Sequence, residues 1–349
     1  MALYRHFQIQ QDLSELLQQD IPWQQLAHKS VLVTGATGML ASYIGFMLLY
    51  LNERLKLNIK PVFLARSREK LTQVYGDALA HADCIIQDVS LPIVRVGTID
   101  FIVHAAGAAS PFFIQNDPVG ILRANVLGTM QVLELARRCD TKNIVFASTR
   151  EVYGRVDNQE RINELDMGLI DPLNPRDCYP ESKRLAETML MTYHIQYKVN
   201  FNTVRLAHTY GPGMPIEGDG RVMSDLIGAV VAGRDVVLNS DGEAERAFCY
   251  ISDAVAGFFR VLLQGEACHA YNLANEDEPI KIKDLAYLLQ VISGNNKAVR
   301  LEPRDNSAGY TNYKRTAMDT TRLMQLGWRA QVDLRQGLGR TLQAYGDPR

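Results

Sequence analysis

The chain has 349 residues, 47% of them hydrophobic, with 37 Lys and Arg against 39 Asp and Glu for a formal net charge of −2. That length allows about two domains and a large buried core. The near-neutral charge removes the electrostatic case for a nucleic-acid or membrane-surface partner. Five cysteines, an odd number with no Cys-x-x-Cys pair, read as reduced and mostly buried thiols of a cytoplasmic protein. Met1 to Gln11 lacks the basic-then-apolar order of a signal peptide. No His/Cys/Asp spacing suggests a metal site.

Residues 1–28 are expected as a helical extension. Leu13, Leu16 and Leu17 fall at helical spacing among polar residues, so Asp12–Gln19 reads as an amphipathic helix packed over the core, with a dimer contact as the alternative. Val31, Leu32 and Val33 form an apolar run short enough for a buried parallel strand. The strand leads into Thr34-Gly35-Ala36-Thr37-Gly38-Met39-Leu40-Ala41, a glycine turn opening an apolar helix from Met39 to about Leu51. That helix is too short for a membrane span, and Glu53 and Arg54 follow it. Gly35 and Gly38 allow a tight turn and close backbone approach to a pyrophosphate, which the N–H groups and positive dipole end of the helix would attract. Ala41 takes the third small position, giving Gly-x-x-Gly-x-x-Ala.

A second strand, Pro61 to Ala65, ends in Arg66-Ser67-Arg68 without an acid. Arg66 and Arg68 could pair with a ribose 2′-phosphate; equally, Arg66 could stack on adenine and Arg68 be a solvated charge. NAD and NADP therefore stand even. Gln87-Asp88-Val89, after a third apolar run, is placed to meet the adenine. Phe101 to His104 reads as a fourth strand ending in Ala105-Ala106-Gly107, a loop of small residues, with His104 as a satisfied strand-end histidine. Asn143 to Thr149 is a fifth strand and runs into Arg150-Glu151-Val152-Tyr153-Gly154.

In Asp177-Cys178-Tyr179-Pro180-Glu181-Ser182-Lys183-Arg184, Tyr179 and Lys183 stand four apart and share one helix face. Pro180 suits the first turn, so Tyr179 lies near the helix start. A lysine ammonium one turn away favours a tyrosine phenolate. A phenolate can take the proton of an alcohol while hydride leaves the same carbon. Strand–helix alternation to about residue 200 predicts an α/β fold, a doubly wound, Rossmann-like parallel sheet mainly over 29–200. A smaller C-terminal substrate lobe is expected mainly over 201–349, with Ile280 to Ser293 as one helix-rich unit and segments free to interleave.

These ordered parts are joined by Ala109-Ser110-Pro111, Asn125-x-x-Gly128-Thr129, Gly220-Arg221-Val222, Arg246-Ala247-Phe248 and Leu326-Gly327-Trp328. From about Lys29 to Tyr345 the chain resembles the extended short-chain dehydrogenase/reductase family, in its nucleotide-sugar epimerase, dehydratase and decarboxylase branch. It is most similar there to UDP-glucuronate decarboxylases. The resemblance implies a nicotinamide dinucleotide held by Gly35, Thr37, Gly38, Met39, Leu40, Arg66, Asp88, Val89, Ala105, Ala106, Gly107, Asn125, Tyr179 and Lys183. It makes Tyr179 the base, Lys183 the group that lowers its pKa and holds the nicotinamide ribose, and Thr149 the hydroxyl that hydrogen-bonds the substrate oxygen. Ser110, Arg150, His208, Arg221, Arg246 and Arg315 are implied as contacts to a nucleotide-diphosphate sugar, and a homodimer is implied as the assembly.

Oxidation at C4 of the sugar acidifies the C5 proton and turns a C5 carboxylate into a β-keto acid. The residues after the family threonine then set the reaction: Asp-Glu in dehydratases, Ser-Glu in decarboxylases, small residues in most 4-epimerases. Here they are Arg150-Glu151. The glutamate speaks against a plain 4-epimerase and the missing aspartate against a standard 4,6-dehydratase, while the arginine departs from the decarboxylases. Arg150 could bind a uronate carboxylate, or it could neutralise Glu151. His208 replaces the family asparagine in Arg205-x-x-His208 and could still donate to a diphosphate. The expectation is a decarboxylase-like enzyme. A 4-epimerase, or a dehydratase or C4-oxidase of an activated sugar, is the alternative, and a non-catalytic NAD(P)-binding module the remote one.

Overall fold

The computed structural model describes residues 2–94, 97–156, 159–294, 297–302 and 317–346. Seven short runs form one sheet: β1 (Ser30–Thr34), β2 (Lys60–Ala65), β3 (Asp83–Ile86), β4 (Phe101–His104), β5 (Asn143–Thr149), β6 (Phe201–Leu206) and β7 (His269–Leu273). They pair in the order β7-β6-β5-β4-β1-β2-β3, all parallel. Both faces of the sheet are covered, so side chains alternate between two cores. Val31, Val33, Phe63 and Val145 enter one core, while Leu32, Val62, Ile102 and Phe146 enter the other. The doubly wound sheet expected from the alternation is present.

The main helices are α1 (Phe7–Leu17), α2 (Met39–Leu55), α3 (Arg68–Tyr75), α4 (Gly128–Cys139), α5 (Cys178–Tyr197), α6 (Val222–Val231), α7 (Ile251–Gln264), α8 (Ile282–Ser293) and α9 (Leu334–Gly346). On α2, Gly45 comes close against the sheet, where a Cβ would stand 3.0 Å from the Phe63 ring and 2.4 Å from the Tyr75 hydroxyl. Strands β6 and β7, both after residue 200, complete the sheet, and α7 packs against it, so the two parts of the chain interleave. Beyond the sheet, α8 packs against α6 and α9. No helix among the described residues is long and apolar enough to cross a membrane.

The N-terminal helix begins earlier than its leucine spacing suggested, at Phe7 rather than Asp12, and ends at Leu17. His6 caps it, its Nδ1 accepting from the Gln8 N–H at 3.2 Å. Leu13 and Leu16 are buried in the core, and so is Asp12. The Asp12 carboxylate accepts from the Tyr43 hydroxyl on α2 (2.9 Å), the Tyr250 hydroxyl (2.8 Å), Arg340 Nη1 on α9 (2.9 Å) and Gln8 Nε2 (3.2 Å). Glu15 takes the rest of the Arg340 fork at 2.8 and 2.9 Å. A buried charge persists only when its lone pairs are met in this way.

Candidate functional site

The residues singled out by sequence gather where an open α/β sheet binds ligands, at the carboxyl ends of its strands and around the point between β1 and β4 where strand order reverses. Gly35 follows β1, Arg66 follows β2, Asp88 lies just beyond β3, Ala105–Gly107 follow β4, Thr149 ends β5 and His208 lies just beyond β6. At Gly35 φ is +69°, and a side chain would come within 2.8 Å of Ala106 Cα, so the first glycine is needed by the protein itself. Gly38 differs. A Cβ there would meet only the Gly35 carbonyl, at 3.4 Å. Gly38 also gives no side-chain cap to the α2 N-terminus, leaving its N–H groups for an anion.

The wall opposite is fixed by a buried relay. Thr34 Oγ1 accepts from the Ala105 and Ala106 N–H groups at 3.1 Å each and hydrogen-bonds His104 Nδ1 at 2.8 Å. His104 Nε2 meets Thr129 Oγ1 at 3.1 Å, and Thr129 donates to the Asn125 carbonyl at 2.5 Å. Burial pulls the His104 pKa down to about 3, so it is a neutral, satisfied strand-end histidine. Asn125 lies in a π-helical turn, Arg123–Leu127, a feature found often at functional sites. Its Nδ2 donates to Ser182 Oγ at 2.9 Å, while its buried Oδ1 has no hydrogen-bond partner. That oxygen lies 2.6 Å, and Lys183 Nζ 3.7 Å, from where a Gly107 Cβ would stand. A bare turn at Gly38 and an orphaned amide oxygen beside a lysine fit a dinucleotide running from the α2 N-terminus to Lys183.

Tyr179 and Lys183 stand one turn apart at the start of α5, both buried. Lys183 Nζ donates to the Ala147 carbonyl at 2.8 Å and lies 4.5 Å from the Phe146 ring centroid. Burial pulls its pKa down to about 7, against a small opposing pull from Glu187. Burial also pushes the Tyr179 phenol above its ordinary range, and Glu151 pushes it further. A hydrogen bond from Thr149 and the charge of Arg221 draw it back. Thr149, Tyr179 and Lys183 are therefore brought together. The phenol packs against Ile114 and Ile121 from the short helices behind Ser110.

The charged rim contains a residue the sequence reading missed. The guanidinium paired with Glu151 is that of Arg176, 3.1 Å from Oε2, in the turn Pro175–Asp177 that leads into α5. Thr149 pairs with Leu206 in the sheet, which brings the segment after Thr149 beside the one that carries His208. Arg150 and Arg246 both act on His208, and with burial as the larger cause they hold its pKa down to about 3. The buried His208 Nε2 has no partner. Arg246 donates to the Glu245 carbonyl at 2.7 Å. Arg221 is held by the buried Asp219 carboxylate, which Ser224 also meets at 3.0 Å. Ser110 is buried at the head of a short helix, and its Oγ has no partner.

Other candidates stand apart from this cluster. Arg66 and Arg68 are exposed at the end of β2. The Asp88 carboxylate accepts from the Ser90 N–H and hydroxyl at 2.9 and 2.7 Å. Val89 is buried, and a Cβ at Gly128 would come within 2.8 Å of its side chain. Arg315 lies outside the described residues. Of the cysteines only Cys249 is fully buried; the other four are half-buried rather than mostly interior. A second missed feature lies behind the site. Arg205, buried, forks onto Glu187 on α5 (2.6 and 3.1 Å) and donates to the Tyr153 hydroxyl at 3.0 Å, while Ser148 donates to Glu187 at 2.5 Å. This network locks the ends of β5 and β6 to the helix that carries Tyr179.

Comparison with known proteins agrees with the motif order. A family model described as the NAD dependent epimerase/dehydratase family matches residues 31–274. UDP-glucuronic acid decarboxylase 5 of Arabidopsis thaliana is 31% identical over 88% of this chain and 86% of its own length. UDP-glucuronic acid decarboxylase 1 of Xenopus tropicalis is 30% identical over 91% of this chain and 72% of its own. Among solved structures, a UDP-glucose 4-epimerase of Thermotoga maritima superposes with a TM-score of 0.75 at 21% identity, covering 90% of this chain and 98% of that one.

Proposed function

The chain belongs to the NAD dependent epimerase/dehydratase family, and from that premise we propose that it decarboxylates a nucleotide-diphosphate uronate through transient oxidation at C4. Its relatives named UDP-glucuronic acid decarboxylases support UDP-glucuronate as the substrate. When bound, the nicotinamide would supply the acceptor and donor for the two electrons of C4. Tyr179 takes the O4 proton and later returns it, with the Thr149 hydroxyl on the same oxygen. Asn125 and Lys183 hold the nicotinamide half, and the Gly35–Gly38 turn the pyrophosphate. Beyond β2, where no acid stands, the exposed Arg66 and Arg68 tolerate a 2′-phosphate as well as a hydroxyl, so NAD and NADP both fit.

With C4 oxidised, the C5 carboxylate is β to a ketone. The bond from C5 to the carboxyl carbon breaks, CO2 leaves with its electron pair staying at C5, and a solvent proton fills that position. This route needs no base at C5, whereas dehydration does. The observation that carries the reading is that the Glu151 carboxylate is already engaged by the Arg176 guanidinium at 3.1 Å, beside the cations Arg150 and Arg246 gathered at His208. Those cations, with Arg221, suit a carboxylate and a diphosphate.

A homodimer would use the outer face of α4 and α5. These helices touch through Tyr193, whose hydroxyl donates to Glu134 at 2.6 Å, and the face exposes Met130, Leu185, Met191 and Ile195. A two-fold axis makes such a face self-complementary. The functional test is a mass-spectrometric screen of nucleotide sugars. Loss of CO2 from UDP-glucuronate supports the proposal, while loss of water or an isomer of unchanged mass supports a dehydratase or a 4-epimerase. Bound nucleotide with no turnover of any sugar would make the chain a binding module.

A further inference from the structure

Arg176 touches none of the reacting atoms in the proposed chemistry, yet its guanidinium meets Glu151 at 3.1 Å. The turn that carries it is well anchored. Asn174 Oδ1 accepts from the Arg176 N–H at 3.2 Å, and Asp177 lies 3.9 Å from Arg176 Nη1 while accepting from the Asp171 N–H at 3.3 Å. Glu151 is tethered as well, its N–H donating to Thr149 Oγ1 at 3.2 Å. The carboxylate on this short turn is thus paired with the guanidinium of Arg176 and close enough to the Tyr179 phenol for its charge to act on it. Both side chains of the ion pair are about a third exposed, at 35% and 32%, so a pair of this kind positions more than it stabilises.

We propose that Arg176 is a positioning residue that holds the Glu151 carboxylate back from the Tyr179 phenol, so that the base meets the sugar hydroxyl without a second anion against it. The inference rests on Tyr179 being the base. The groups that act on Tyr179 are Thr149 from β5, Glu151 from the turn after it and Arg221 from the loop after Gly220, while Lys183, one turn along its own helix, is turned to the Ala147 carbonyl. Of these, Glu151 raises the phenol pKa and Thr149 and Arg221 lower it; Arg176 itself is not among the charges that act on it. The route from Arg176 to the base is then the place it gives Glu151. A carboxylate released from its partner would turn toward the phenol and oppose its ionisation more strongly.

The test is the pH dependence of the first half-reaction, read as reduced-nicotinamide absorbance in single turnovers of the whole protein with UDP-glucuronate. Arg176→Gln should move the phenol limb of that profile to higher pH by about one unit. Arg176→Lys, which keeps the charge, should return it most of the way. In a Glu151→Gln background the Arg176→Gln change should move nothing, because an amide swinging toward the phenol brings no charge. A limb that stays in place in Arg176→Gln, or that shifts equally in the Glu151→Gln background, overturns the inference while leaving the proposed function intact. A wild-type protein that reduces no cofactor with UDP-glucuronate or any other nucleotide sugar overturns the proposed function, and this inference with it.

Discussion

Burial takes the Lys183 ammonium out of water and pulls its pKa down to about 7, so the residue carries a folding cost wherever it is protonated. An unfolded lysine titrates near pH 10.4. Between there and about 7 the unfolded chain binds more protons than the folded one, so this group's contribution to stability falls as pH falls and levels off below about 7. Lys183→Met, which keeps length and removes charge, should raise stability near neutral pH by on the order of 1 kcal/mol or more. The gain should shrink toward pH 10 in thermal melts, while turnover is lost; a pH-independent difference would contradict the burial argument. Tyr179→Phe should keep fold and cofactor binding, since the ring still packs on Ile114 and Ile121. It should lower turnover by about 10²–10⁴-fold; a rate near wild type would place the proton elsewhere. Both residues were legible as a four-residue spacing on one helix face. Arg176 was not, because nothing local links positions 151 and 176 until the chain folds.

At the scale of elements, legibility followed periodicity. The strand Asn143–Thr149 was bounded correctly because its apolar run ends in a hydroxyl pair and charges. The start of α1 was missed although the buried Ile9 stands four before Leu13 and seven before Leu16, because the exposed Phe7 and the glutamines around Ile9 break up the pattern. The buried Asp12 within it looked like an ordinary polar position. The π-helical turn around Asn125 likewise leaves no trace in sequence pattern. Asp12 joins α1 to α2, to Tyr250 and to α9, so the N-terminal extension straps the sheet layer to the C-terminal helix. Asp12→Ala removes one partner of a buried pair, and two tyrosine hydroxyls lose their acceptor. It should cost about 3 kcal/mol in urea unfolding, with Glu15 retaining part of the Arg340 fork. An unchanged midpoint would reduce the strap to a surface contact.

For the whole molecule, alternation of strand and helix was enough to give a doubly wound parallel sheet. It could not say that β6 and β7, after residue 200, complete that sheet, because short buried strands look alike wherever they pair. This interleaving brings Thr149 on β5 beside the His208 loop after β6, where Arg150 and Arg246 act on His208. The proposed reaction is decided by what happens at C5 once C4 is oxidised. The most direct measurement is the product mass and C5 labelling of UDP-glucuronate turned over in heavy water. Decarboxylation predicts loss of CO2 with one deuterium at C5 and cofactor recovered in its starting state. A product of unchanged mass with no deuterium at C5, or one that has lost water, would contradict it.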